Sequence, residues 1–299
     1  MASFNPFSVT VHAVPAHTPN LIAYERGTTT SKDALIFVGG LTEGPHTNAA
    51  VGAVAGKLGG TGFGVWELRM RSSYTGFGYS SLSNDVQDVA ALVQYLREIG
   101  KEKIVLFGRL LVCGCQGCLE YTDHEKHANE PVDGYILLSP VSDRQAAGLI
   151  MPPEALRKSI EYAQDMIAQG KENEAMPTPL IPAIFSSPIT AYRWNSLGAQ
   201  GGDDDYFSSD LDDVALKGKF GRIDKPVLFL PGEQDELVLP SVDKKKLLER
   251  WCQACPSGTV SELSGHIPGA DHAVSQPEAR EWVGSTIKNF LESLERAEM

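Results

Sequence analysis

The chain has 299 residues, of which 42% are apolar and 21% are charged, so it can bury one large core or two modest ones. This composition excludes a disordered tail, a collagen and a coiled coil. Aspartate and glutamate (38) outnumber lysine and arginine (26), and the formal net charge is −12. Nucleic-acid-binding proteins contact the phosphate backbone through positively charged surfaces. No lysine- or arginine-rich run occurs here, so we expect no nucleic-acid partner.

Membrane and secretory signals are also missing from the sequence. No apolar run approaches the ~20 residues that span a bilayer, and the first residues lack a basic region followed by an apolar one. There is no N-x-[ST] sequon, and five cysteines leave at least one thiol unpaired even in an oxidising compartment. We therefore expect a reduced, cytoplasmic protein without a membrane partner.

Short apolar runs alternate with helical patterns along the chain, which is typical of a parallel sheet covered by helices on both faces. Ser83 or Asn84 is predicted to cap a helix that Gly100 ends, and a further short helix is expected near Cys118. Strands are predicted at 34–38, 65–70, 104–107, 135–138 and 227–230, and further helices at 153–169 and 277–294.

The alternation stops between residues 141 and 223, where an amphipathic helix is followed by a proline-rich stretch and an acidic Gly-Gly-Asp-Asp-Asp segment. We predict that this part is an insertion between two strands of one sheet. The core then comprises residues 1–143 and 224–299, and residues 144–223 form a helical cap or lid over the active face. A surface excursion without a lid role is the alternative.

An acid and a histidine stand where an α/β-hydrolase carries them, late in the chain and in that order. Asp235 follows the predicted strand 227–230, and ligands bind beyond the carboxyl ends of such strands. His272 lies in a loop ahead of the final helix. We predict that Asp235 orients His272, which acts as general base.

Each residue of this pair also has a non-catalytic interpretation. Asp235 could be a solvated turn carboxylate, and His272 could be a helix-capping or surface histidine. Neighbouring groups are given structural roles. His266 is interpreted as structural or substrate-facing, and Glu233 and Glu236 as solvated carboxylates.

A glycine pair follows the first long predicted strand, and glycines allow a backbone to turn close to a substrate carbonyl. An α/β-hydrolase takes one oxyanion-hole N–H from this loop. We predict that Leu41 donates this N–H, with Gly40 beside it. An ordinary glycine turn is the alternative.

The nucleophile is the missing member, because no Gly-x-Ser-x-Gly occurs anywhere in the chain. The elbow is expected after the strand at 104–107, where the sequence reads Gly-Arg-Leu-Leu-Val-Cys-Gly-Cys-Gln-Gly-Cys. This turn holds no serine.

Several sequence blocks resemble those of the fungal siderophore-esterase (fusarinine C esterase) family, and the resemblance covers most of the chain. It implies an α/β-hydrolase fold and a serine hydrolase that opens ester bonds of fusarinine-type hydroxamate siderophores and releases iron. The partner would be a small-molecule ester, including a ferric siderophore, and no cofactor is implied. The blocks are GGL at 39–41, RSSYTGFGYSSL at 71–82, DVQDVAALVQYLR at 85–97, GCQ at 114–116, LLSPVSDR at 137–144, PGEQDE at 231–236 and GADH at 269–272.

The nucleophile turn departs from the family, in which it reads Gly-His-Ser-Thr-Gly-Cys-Gln. Aligning Gly108 and the Gly-Cys-Gln at 114–116 leaves Arg-Leu-Leu-Val-Cys, two residues longer and without the serine. One explanation is that a thiol has taken over, with Cys113 beside the lost position and Cys115 between small residues. The others are a catalytically silent hydrolase that still binds its ligand, and a wrongly translated splice junction.

The cysteines also allow a zinc interpretation, in which those at 113, 115 and 118 join Cys252 and Cys255. We expect packed thiols and no metal, because the last two lie on a predicted helix with Trp251. The sequence gives neither the exact substrate nor the oligomeric state.

Overall fold

A seven-stranded, mostly parallel sheet forms the centre of this computed structural model, which describes residues 7–18, 20–27, 30–109, 114–185 and 187–296. The strand order is β1-β2-β4-β3-β5-β6-β7; β1 and β2 are antiparallel to their neighbours and the remaining pairs are parallel. The strands are β1 (Val9–Ala13), β2 (Ile22–Arg26), β3 (Asp33–Val38), β4 (Phe63–Arg69), β5 (Ile104–Arg109), β6 (Gly134–Leu138) and β7 (Val227–Leu230).

Helices cover both faces of this sheet. One buried apolar cluster joins one face to α2, α3, α8 and α9, and a second joins the other face to α1 and α10. No helix in the described ranges is long and apolar enough to cross a membrane. The helices are α1 (Ala49–Lys57), α2 (Leu82–Glu98), α3 (Cys115–Tyr121), α4 (His124–His127), α5 (Asp143–Ile150), α6 (Pro153–Ala168), α7 (Ala191–Gly198), α8 (Asp213–Phe220), α9 (Lys244–Ala254) and α10 (Pro277–Arg296).

The start of α2 differs from the prediction. Ser81 is the N-cap, with an extended backbone and a side chain that accepts a hydrogen bond from the N–H of Asn84. The helix therefore begins before the predicted caps at 83 and 84, because Leu82 is already helical and buried. Gly100 follows the helix with a φ of +87°, a conformation that glycine adopts without strain.

Strand β5 runs two residues beyond its predicted end at Phe107. Arg109 still pairs with Leu138 of β6, so the strand extends into the altered turn. The chain returns very close to this strand end, because a Cβ placed on Gly108 would lie 2.4 Å from the carbonyl oxygen of Gly114. Glycine is therefore required there. Cys113 lies outside the described residues.

Helices α5 to α8 occupy the region between β6 and β7, where the sequence predicts an insertion. The acidic Gly-Gly-Asp-Asp-Asp segment is bonded to these helices. Asp203 accepts a hydrogen bond from Tyr192, Asp204 pairs with Arg193, and Asp205 pairs with Arg144 of α5. The three carboxylates thus connect α5 with α7, and an apolar cluster that includes Trp194 packs among the inserted helices.

Candidate active site

An irregular segment at 259–267 lies parallel to β7 and carries the histidine loop to the carboxyl edge of the sheet. It joins the strand through isolated bridges, Val227 with Val260 and Gly232 with Ile267. The N–H of Gln234 then donates to the carbonyl of Ala270 at 2.8 Å. A Cβ on Gly232 would lie 2.9 Å from that same carbonyl oxygen, so the close approach of the two loops needs a glycine.

Asp235 and His272 meet at this edge, 37 residues apart in the sequence. Oδ2 of Asp235 lies 2.8 Å from Nδ1 of His272, within the expected hydrogen-bonding range. The other carboxylate oxygen accepts the N–H of Leu237 at 3.0 Å. Both side chains are buried, and Nε2 of His272 has no hydrogen-bond partner in the described ranges. This arrangement leaves a ring nitrogen free to exchange a proton.

The carboxylates on either side of Asp235 belong to exposed residues, consistent with their interpretation as solvated groups, and each also accepts a backbone hydrogen bond. Oε2 of Glu236 accepts the backbone N–H of His272 at 2.9 Å. Oε2 of Glu233 accepts the N–H of Gly269 at 2.7 Å. Three acidic residues after β7 therefore hold both the ring and the backbone of the histidine loop. Sequence spacing alone gives no sign of the two backbone contacts.

The glycine loop after β3 approaches the same edge, but one of its N–H groups is occupied. The N–H of Gly40 donates to Oε2 of Glu43 at 3.2 Å. Oε1 of Glu43 accepts from Asn48 at 2.8 Å and from the guanidinium of Arg109. An oxyanion can use Gly40 only if this carboxylate moves away. The role of Leu41 as an oxyanion donor remains a prediction.

Arg109 lies beside the candidate site, and no sequence motif indicates it. It is the last residue of β5, its side chain is only 3% exposed, and it links the two loops that flank the dyad. One guanidinium nitrogen contacts Glu43, and Nη2 donates to the carbonyl of Ala273 at 2.9 Å, next to His272. Burial lowers the pKa of the arginine, and the charge of Glu43 opposes this change.

The described thiols near the turn are poor nucleophiles. Cys115 is fully buried, and its Sγ donates to the carbonyl oxygens of Gly108 and Leu138 at 3.4 Å. Burial raises its pKa well above the usual value, and burial also raises the pKa of Cys118. A thiol must ionise to act as a nucleophile, so these two sites favour packing over catalysis.

Serines near the site do not replace the lost nucleophile. The hydroxyls of Ser72 and Ser139 are buried and have no hydrogen-bond partner within the described ranges, and neither contacts the ring of His272. Ser139 follows β6 with a φ of +51° and is fully buried.

The distant cysteine pair also fits a packed state. Cys252 lies in α9 and Cys255 directly follows it, and both thiols are free. Burial raises the pKa of Cys255 to about 12. No group of three or more His, Cys, Asp or Glu side chains that could hold a metal ion occurs in the part of the chain that the structure describes.

Comparison with known proteins connects this geometry to a family of hydrolases. The model of a family described as a protein of unknown function (DUF1749) matches residues 1–292. The UPF0613 protein PB24D3.06c of Schizosaccharomyces pombe is 33% identical over 93% of this chain and 95% of its own length. The fusarinine C esterase sidJ of Aspergillus fumigatus is 29% identical over 94% of this chain and 95% of its own length.

Solved structures of hydrolases are also similar to this chain. The siderophore hydrolase EstB from Aspergillus fumigatus superposes with a TM-score of 0.81 at 28% identity, covering 97% of this chain and 98% of that one. A carboxyl esterase from Bacillus coagulans shares the fold alone, with a TM-score of 0.64 at 14% identity over 97% and 99% of the two chains. The α/β-hydrolase fold and the resemblance to fungal siderophore esterases are therefore confirmed, and the relatives include named ester hydrolases.

Proposed function

Because this chain belongs to the DUF1749 family, we propose that it is an ester hydrolase in which His272 is the general base and Asp235 orients its ring. The observation that carries the proposal is the 2.8 Å contact between the Asp235 carboxylate and Nδ1 of His272, with Nε2 left without a partner in the described ranges. Relatives named as esterases over most of both chains support the same chemistry.

The dyad explains how an ester can be opened. In this mechanism the carboxylate of Asp235 accepts a hydrogen bond from Nδ1–H of His272, so the lone pair of Nε2 is the basic site of the ring. Nε2 takes a proton from the hydroxyl or water that attacks the ester carbonyl, and the carboxylate stabilises the imidazolium that forms. Since no serine of the described ranges contacts this nitrogen, we assign the attack to water and predict slow turnover.

The substrate we propose is the ester of a hydroxamate siderophore of the fusarinine type, whose opening releases iron. The relationship to a fusarinine C esterase and the fold similarity to a siderophore hydrolase support this class. We propose that residues 144–223 act as the cap, because α5 to α8 lie between β6 and β7, beyond which the site is formed. We place the activity in the reducing cytoplasm, since the four described cysteines are free thiols.

Hydrolysis of a ferric fusarinine-type triester tests the proposal, with linear products separated by liquid chromatography. We expect the chain to hydrolyse the triester about 10³- to 10⁴-fold faster than the uncatalysed reaction. This is the rate enhancement that substrate binding and polar groups still provide when the nucleophile is missing. The variant His272→Ala should lose most of this rate. The control His17→Ala changes an exposed histidine outside the site and should keep it. Equal rates for the parent chain and His272→Ala would overturn the proposal.

Ligand binding without turnover is the second candidate function. The contact between Glu43 and the Gly40 N–H favours it, because the carboxylate occupies a group that would otherwise stabilise an oxyanion. The same experiment separates the two functions. A silent protein binds the ferric triester, measured by tryptophan fluorescence, and releases no linear product in any variant.

A further inference from the structure

A polar pocket lies at the carboxyl end of β4, in a part of the chain to which the proposed mechanism gives no role. It measures about 300 Å³, at the lower end of the range for small-molecule sites. Its lining comes from the connection between β1 and β2, from the end of β4 and from the first residues of the RSSYTGFGYSSL block. Among the described residues no aspartate or glutamate lines this pocket, although the formal net charge of the chain is −12.

Arg69, the last residue of β4, brings an unbalanced positive charge to the pocket. Its guanidinium makes no hydrogen bond or ion pair with the described residues, whereas every other arginine in those ranges makes at least one. Glu67 lies on the same face of the strand, two residues earlier, but this carboxylate is already bonded to Arg26 and His46. Arg69 therefore has no counter-charge in the described part of the chain and is free to pair with an anionic ligand.

Arg71 forms a fixed wall of the same pocket. Its Nε donates to Asp88 at 2.9 Å, Nη1 donates to Asn84 at 3.1 Å, and Nη2 donates to Gln87 at 3.0 Å. These three bonds to α2 hold the guanidinium in one place. Asp88 is buried and balances the charge of Arg71, so the net positive charge of the lining is that of Arg69.

The pocket also offers hydrogen-bond donors for an anion. The hydroxyl oxygen of Ser73 accepts the N–H of Met70 at 2.9 Å, which leaves the hydroxyl proton for a ligand. Thr18 and Asn20 line the pocket from the connection between β1 and β2, and their side chains can donate as well. An anion with several acceptor oxygens can therefore make more contacts than the one with Arg69.

The turn beside Arg71 is closed without a ligand. A Cβ on Gly76 would lie 1.9 Å from the carbonyl oxygen of Arg71, so this close approach requires glycine. Tyr74 has a φ of +60°, which is unusual for a bulky residue and typical of functional loops. Its N–H donates to the carbonyl of Glu43 at 2.9 Å, and its hydroxyl donates to that of Pro45 at 3.1 Å. Because these contacts fix the turn, a ligand would bind with little ordering of the chain.

We propose that this pocket binds a small organic anion, with Arg69 as the counter-charge and Ser73 as a hydrogen-bond donor. The planar fork of an arginine matches the paired oxygens of a carboxylate or a phosphate, so the ligand carries one of these groups. A volume of about 300 Å³ suits a metabolite-sized molecule. The inference does not depend on ester hydrolysis, because neither β4 nor the connection between β1 and β2 supplies a residue to the Asp235–His272 pair.

Isothermal titration calorimetry at low ionic strength tests the site with three probes of similar size. Phenyl phosphate and benzoate carry the two kinds of anionic group, and benzyl alcohol carries no charge. We expect at least one anion to bind with a dissociation constant of about 1 mM or below, and benzyl alcohol not to bind. The anion that binds more tightly identifies the ligand group as phosphate or carboxylate. No binding of either anion at about 10 mM, or equal binding of the alcohol, would overturn the proposal.

Two arginine variants then locate the binding in the pocket. Arg69→Gln should weaken the binding of the preferred anion about tenfold, because a charge-assisted hydrogen bond is lost. Arg157→Gln removes the same charge from an exposed position of α6 outside the pocket and should leave the dissociation constant unchanged. Thermal melting checks that both variants are folded. Equal weakening in the two variants would show a general effect of net charge and contradict the proposal.

Two further variants separate this pocket from the candidate active site. Ser73→Ala should weaken the binding about threefold, because one uncharged donor is lost. His272→Ala should bind the anion as the parent chain does. Weakening in His272→Ala without weakening in Arg69→Gln would place the anion at the active site. That result, or an unchanged dissociation constant in both Arg69→Gln and Ser73→Ala, would overturn the proposal.

Discussion

Arg109 most clearly distinguishes this site from that of an ordinary serine hydrolase. The resemblance implies a histidine after the glycine of the turn, whereas here an arginine brings a buried positive charge between the glycine loop and the histidine loop. A buried charge is costly unless it is paired, and Glu43 supplies the pair. The pair in turn holds the Glu43 carboxylate against the N–H of Gly40.

Removing the arginine alone should destabilise the protein. In Arg109→Met, Glu43 keeps its bonds to Asn48 and Gly40 but loses its counter-charge in a site that is mostly buried. We expect the free energy of unfolding, measured in urea, to fall by about 3 kcal/mol.

A double-mutant cycle supplies the control for this prediction. Adding Glu43→Gln to Arg109→Met should recover much of the loss, because no uncompensated charge remains. Arg157→Met removes an arginine that is 54% exposed and should leave the free energy of unfolding nearly unchanged. Losses that simply add in the double variant would show that the two residues are not coupled.

Residue types and order were enough to predict the contact between Asp235 and His272, but not the groups that support the pair. Asp235 and His272 follow from their places after a strand and before the last helix. Glu233 and Glu236 hold the histidine loop through its backbone N–H groups, and such contacts depend on how two distant loops meet. The contact of Arg109 with Glu43 has the same origin, so none of these partners has a sequence signal.

At the scale of secondary-structure elements, a polar network joins α3 and α4 to the region around α8. Glu120, at the end of α3, accepts hydrogen bonds from Lys126, from His127 at 2.8 Å and from Tyr206 at 2.5 Å. Burial by itself raises the pKa of Glu120, but these hydrogen bonds outweigh it and lower the pKa to about 2. The charged carboxylate therefore stabilises the packing of these helices.

This network should make the protein sensitive to acid. The pKa of Glu120 in the folded protein lies below the ordinary value of 4.5. The charged carboxylate therefore stabilises the folded state above pH 4.5, and this stabilisation is lost as the pH falls toward 2. Glu120→Gln should lower the free energy of unfolding at pH 7 by about 1–2 kcal/mol, allowing for solvent screening. Below pH 4.5 the variant should lose less stability with falling pH than the parent does. Urea unfolding at several pH values measures both effects.

The matched variant Glu125→Gln changes an exposed carboxylate of α4 and should follow the parent at every pH. If Glu120→Gln and the parent lose stability in parallel between pH 4.5 and pH 2, the charge of Glu120 does not stabilise the packing of these helices.

Predicted elements match the structure where the sequence carries a strong local pattern. The continuous apolar runs became β3, β4, β5, β6 and β7, with ends that shift by at most two residues. Strands β1 and β2 were not predicted, because β1 is largely exposed at the sheet edge and β2 mixes apolar and charged residues. The pairing of β2 with β4 is a long-range event that a local pattern cannot indicate.

At the scale of the whole molecule, the fold brings three separate parts of the chain to one edge of the sheet. The glycine loop after β3, the end of β5 and the loops after β7 meet there, beside the inserted helices. The order of strands and helices made this convergence predictable. The order of the elements did not predict the effect of the two extra residues after Gly108. That effect depends on how far β5 extends and on how the following turn closes.

The kcat/KM for an activated ester, compared before and after restoring the nucleophile turn, tests the central claim most directly. In the test variant His-Ser-Thr replaces residues 109–113, and the control carries His-Ala-Thr so that length is matched and only the serine differs. We predict that the serine variant exceeds both the present sequence and the alanine control by at least about 10³-fold, because a nucleophile and its histidine act as a unit. Full activity of the present sequence that Cys113→Ala or Cys115→Ala abolishes would contradict this mechanism and identify a cysteine hydrolase.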